Sequence, residues 1–138
     1  MMTISRLLVS LTALLALSLP AAADDAASFC GRASGEPPAI LADVTKASGM
    51  KEVHRSAEYV AYQDAATEAV FTFTLEAAGP AHPAAVCRQP VKVGDDLTLK
   101  MVIVCKGDSL ACQRLESDFK LLNAQMEAAI RNQAAEPK

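Results

Sequence analysis

Tryptophan is absent from this sequence, and there are only two tyrosines, four phenylalanines and two histidines. So few aromatic rings leave no platform on which nucleic-acid bases could stack. Lys and Arg number 13 against 16 Asp and Glu, giving a formal net charge of −3. They are scattered singly, without the basic cluster that nucleic acid or anionic lipid calls for. Two histidines restrict Ser-His-Asp or Cys-His chemistry to His54 or His82. His54 lies in Lys51-Glu52-Val53-His54-Arg55 and reads as a solvated side chain. No serine sits in G-x-S-x-G, no acidic run follows the EF-hand pattern, and no C-x-x-C offers a redox dithiol or half a zinc site. Catalysis, a cofactor and a metal centre are therefore not expected.

Long apolar runs are equally scarce. One stands at the start, Leu7 to Leu19, behind the single charge of Arg6. Pro20 breaks it, and Ala21-Ala22-Ala23 supplies the small-x-small pattern of a signal-peptidase site. It is shorter than the ~17–25 residues of a membrane span. Residues 1–23 thus read as a cleaved signal peptide and 24–138 as one domain, periplasmic or secreted, with no membrane insertion after cleavage. All four cysteines, Cys30, Cys87, Cys105 and Cys112, fall in that mature part, and an even count in an exported chain favours two disulfides.

What the mature chain does have is a strand, a turn and a long amphipathic helix in succession. Leu97, Leu99, Met101 and Ile103 alternate as one strand face, and Leu115, Phe119, Leu122, Met126 and Ile130 follow the stripe of a helix. Cys105 closes the strand, Lys106-Gly107-Asp108-Ser109 makes the turn, and Cys112 opens the helix. If all five stripe residues were buried on the sheet, the gain would be roughly 8–15 kcal/mol as an upper bound. Upstream, Pro37-Pro38 starts a short helix with Ile40, Leu41, Val44 and Ala47 on one face. Met50–Arg55 is either a connection or an edge strand. Glu58–Gln63 and Glu68–Leu75 read as a hairpin whose core face carries Phe71, Phe73 and Leu75.

Ala84–Val93 reads as a strand interrupted by Pro90. Its pairing with the next strand has two options. A two-residue loop, Gly94-Asp95, puts Arg88 and Lys92 beside Leu99 and Met101; a three-residue loop, Gly94-Asp95-Asp96, puts Val93, Val91 and Cys87 opposite Leu97, Leu99 and Ile103. The second keeps charges off the apolar face and is the expected register. Closeness across the turn then pairs Cys105 with Cys112 and leaves Cys30 for Cys87. The segment after Ile130 should fray. The expected fold is α+β: an antiparallel sheet of about four strands, a short N-terminal helix, and a long C-terminal amphipathic helix packed on one face.

Gly79-Pro80-Ala81-His82-Pro83 holds the candidate partner-binding residues, His82 with Pro80 and Pro83. Two prolines stiffen the loop, and a stiff loop loses less entropy on binding a protein partner. As a connector, its histidine would instead bond the backbone. The runs Val70-Phe71-Thr72-Phe73-Thr74 and Ala81-His82-Pro83-Ala84-Ala85-Val86-Cys87-Arg88, with Cys105 and Cys112 before the helix, resemble a set of small exported proteobacterial proteins without assigned function. In layout the chain is also similar to the inhibitor-of-vertebrate-lysozyme family. That resemblance implies a periplasmic inhibitor of an external hydrolase working through a histidine-bearing loop. The leading expectation is a non-enzymatic periplasmic binding or envelope-associated protein, with the inhibitor as the alternative.

Overall fold

The computed structural model describes residues 28–136. The expected signal peptide, residues 1–23, lies outside the described residues. The chain begins with a small hairpin, β1 (Ser28–Phe29) and β2 (Arg32–Ala33), followed by α1 (Pro37–Lys46). Five strands come next: β3 (Met50–Arg55), β4 (Tyr59–Asp64), β5 (Val70–Thr74), β6 (Ala84–Val93) and β7 (Asp96–Cys105). The chain ends in α2 (Ser109–Ala135). The five strands pair in sequence order as one antiparallel sheet, with β3 and β7 at its edges. The α+β class is as expected, with one more strand than the sequence suggested. Met50–Arg55 supplies it: as an edge strand it is mostly exposed, so it lacks the apolar alternation that marks a core strand.

Both faces of the sheet are covered, and unequally. On one face Phe71, Phe73, Val60, Ala85 and Cys87 meet Ile40 and Val44 of α1 and Phe29 of the first hairpin. Phe29 and Phe71 are fully buried, their ring centroids 6.0 Å apart. α1 forms because its two prolines occupy first-turn positions whose N–H groups would have no helical partner, and because Ile40 and Val44 lie one turn apart. An Arg32–Asp43 ion pair at 2.6 Å ties β2 to it. On the opposite face α2 covers Ala81 and Ala84 with Leu115, flanked by Phe119, Ala111, Tyr59 and Cys105. Asp108 caps α2 by accepting from the Ala111 N–H at 3.2 Å.

The helix stripe is the first correction. Of the five stripe residues only Leu115 is buried; Phe119 and Ile130 are half-buried, and Leu122 and Met126 are 40% and 39% exposed. Asn123, at 7% exposure, takes the inward position instead and donates from Nδ2 to Met101 Sδ at 3.2 Å. The main core is therefore under α1. α2 also runs to Ala135, past the point where fraying was expected.

The register of the β6–β7 hairpin is the second. Val93 pairs with Asp96, Arg88 with Met101 and Cys87 with Val102, so the loop is the two-residue Gly94-Asp95. Gly94, at φ 64°, provides the left-handed first position that such a turn requires. This choice turns Cys87, Val102 and Val104 into the main core and turns Arg88 under α2. Keeping charge off an apolar face did not decide between registers, because both faces are apolar. Pro90 is accommodated without a break in β6, since pairing with β5 ends at Arg88 and the missing N–H has no ladder partner there.

Two disulfides form as expected, Cys30–Cys87 and Cys105–Cys112. At the β7 edge, the Leu99 N–H donates to Glu127 Oε1 of α2 at 2.8 Å. Among the described residues no helix is long and apolar enough to cross a membrane.

Candidate functional site

The loop carrying Pro80, His82 and Pro83 is a short 3-10 segment, Glu76–Ala81, running into β6. It is held from both sides. The Pro80 carbonyl accepts from the Asp108 N–H at 2.7 Å, and the Pro83 carbonyl from the Lys106 N–H at 2.9 Å. Gly107 makes that approach possible: a Cβ there would lie 2.2 Å from the Pro80 carbonyl oxygen. On the sheet side His82 Nδ1 sits 3.0 Å from Thr74 Oγ1 and 3.1 Å from the Thr74 carbonyl oxygen. A protonated Nδ1 donates to that carbonyl, and an unprotonated one accepts from the hydroxyl, so either tautomer anchors the ring. Pro80 is exposed, whereas His82 and Pro83 are half-buried.

The two histidines are not brought together. His82 borders a cavity of about 270 Å³ against Pro37, Pro38 and Leu41 of α1. His54, on β3, borders a different one of about 320 Å³ between α2 and the sheet. No cluster of three His, Cys, Asp or Glu side chains suited to a metal ion occurs among the described residues.

The cleft under α2 is the more distinctive place, and its centre is Arg88. Its walls are Tyr59 and Ala61 of β4, Thr72 of β5, and Asp118, Phe119 and Leu122 of α2. The Arg88 guanidinium carbon lies 5.4 Å from the centroid of the Phe119 ring, a cation–π contact. Nη1 donates to Met126 Sδ at 3.2 Å, a weak acceptor. Nε is buried without a partner, as is Thr72 Oγ1. None of the ion pairs among the described residues includes Arg88. Burial alone pushes the Arg88 pKa below its ordinary value, with no carboxylate to offset it. Burial, then Glu58 and Asp118, raise the pKa of Tyr59 at the other end of the cleft.

Apart from Asp118, which makes no ion pair with Arg88, the cleft sets the Arg88 guanidinium and the Thr72 hydroxyl among Ala61, Phe119 and Leu122. A guanidinium carries five N–H groups, and burying them without anionic or strong neutral acceptors is costly. Such an arrangement leaves donors open to acceptors from outside the chain. The sequence does not reveal this site, because the register that keeps charges off the apolar face turns Arg88 away from α2, whereas the observed pairing sets it opposite Met101. The signal available was Gly94, whose preference for a two-residue turn fixes the register that aims Arg88 at α2.

No protein-family model, no curated protein and no solved structure matches the chain.

Proposed function

We propose that the protein is a non-enzymatic binding protein of the periplasm or secreted compartment, acting through the face between α2 and the sheet. One observation carries the reading: Arg88, half-buried in an apolar cleft, has no anionic partner among the described residues. The two disulfides fit an oxidising compartment. The test is native mass spectrometry of the protein purified from its host's periplasm without denaturation. The expected species begins at Asp24 and carries a bound mass that is lost on unfolding. A bare chain in every preparation would overturn the binding role, and an intact Met1 would overturn export.

The loop supports a second reading, an inhibitor of an external hydrolase such as lysozyme. Its favouring observation is the double anchoring of 76–83, which leaves Pro80 exposed on a stiff support. On this reading the wild type slows lysozyme in a turnover assay and His82→Ala does not, because the loop is released from Thr74. Uninhibited lysozyme in the presence of the wild type would remove it.

A further inference from the structure

The cleft does not end at Arg88. A second cavity of about 290 Å³ begins there and runs on between Val70, Pro90, Leu97 and Leu99 of the sheet and Met126 and Ile130 of α2. Arg88 borders both, so a polar centre is flanked by an apolar furrow. Along this groove the helix stripe stays partly open: Leu122, beside the first cavity, and Met126, beside the second, are 40% and 39% exposed. The whole groove, from Leu122 past Arg88 to Ile130, follows about 12 Å of helix axis.

We propose that this groove binds a single-chain amphiphile with a carboxylate head, the head on Arg88 and the chain along Met126 and Ile130. The inference rests on the binding reading above and names its ligand class. Two unpartnered groups point to the head: Arg88 Nε, and Thr72 Oγ1, whose residue is only 7% exposed. A planar carboxylate matches the guanidinium fork and accepts from the hydroxyl as well. The remaining charged side chains along the groove are acidic, Asp118 at one end and Glu68 at the other. With one guanidinium and no second fixed cation, the site suits a monoanion and disfavours a phosphate dianion. The tail displaces water from Met126, Leu97 and Leu99, which line the furrow and which the helix leaves partly exposed.

Isothermal titration of the purified protein with dodecanoate, dodecanol and dodecyltrimethylammonium, each below its aggregation threshold, tests this. Dodecanoate should saturate one site and bind at least tenfold tighter than dodecanol, and the cation should not bind. Arg88→Met should weaken dodecanoate tenfold or more and leave dodecanol unchanged. If Arg88→Met does not fold, Leu122→Asp at an exposed position places a carboxylate beside the groove and should weaken dodecanoate to a similar degree. Equal affinity for dodecanoate and dodecanol would overturn the inference, since Arg88 would not be selecting an anion, while leaving the binding role in place. Absence of heat with all three would overturn it too, and the native adduct measurement then judges the binding role separately.

Discussion

Phe71→Ala should cost about 3–5 kcal/mol of stability, and Phe119→Ala only about 1 kcal/mol. Phe71 is fully buried in the centre strand, against Phe29 and the α1 side of the sheet. Its removal leaves a cavity that strands on either side cannot close. Phe119 is half-buried at the rim of the smaller cluster and stacks on a guanidinium, so truncating it removes partial burial and one cation–π contact. Urea unfolding followed by circular dichroism decides the matter through the shift in midpoint at constant slope. Equal losses would mean that the α2 side is packed as tightly as the α1 side, against the division into a larger and a smaller core.

Replacing Cys30 and Cys87 together by alanine should cost about 4 kcal/mol, and the same change at Cys105 and Cys112 about 2.5 kcal/mol, from the entropy of the loops they close. The sequence separations are 57 and 7 residues. The long bridge does more than shorten the unfolded chain. It fixes the segment that delivers Phe29, and Cys30 sits at φ 47° with Gly31 at φ 82° to make the turn that aims both residues inward. The two double variants, compared by denaturant titration, should therefore fall in that order, with the wild type most stable. A larger loss from the short bridge would contradict it.

Much of this architecture was legible residue by residue. The alternation of Phe71 and Phe73 announced a core strand, Ile40 and Val44 announced the docked face of α1, and the turn between Cys105 and Cys112 announced its own disulfide. Three things are not legible, the first two for one reason and the third for another. Rules that read one polar and one apolar face lose their grip when helices lie on both sides of the sheet. Thr72 and Thr74 are buried although they alternate with the phenylalanines, and Arg88 faces a helix although it is charged. Periodicity shows that a helix has an apolar stripe, but not how far along its length the sheet follows. Leu122 and Met126 belong to the stripe and stand over a furrow. The candidate site lies in those gaps: a charge under a helix, opposite a stripe expected to be buried.

The contact between Glu127 and the Leu99 N–H has a consequence at higher concentration. β7 is a ten-residue edge strand, the kind of element that accepts a strand from another molecule and so seeds fibrous assembly. Here α2 is clasped to it, by the Cys105–Cys112 bridge at one end and by Glu127 near the other. A strand approaching that edge finds a mid-strand donor already taken. At the opposite edge it meets Lys51, Glu52 and Arg55, and a ladder whose register shifts between Glu52 and His54. A further strand thus meets a clasped helix at one edge and charge and irregularity at the other. Growth from β7 has to begin with the C-terminal half of α2 lifting away, the same half that leaves Leu122 and Met126 uncovered.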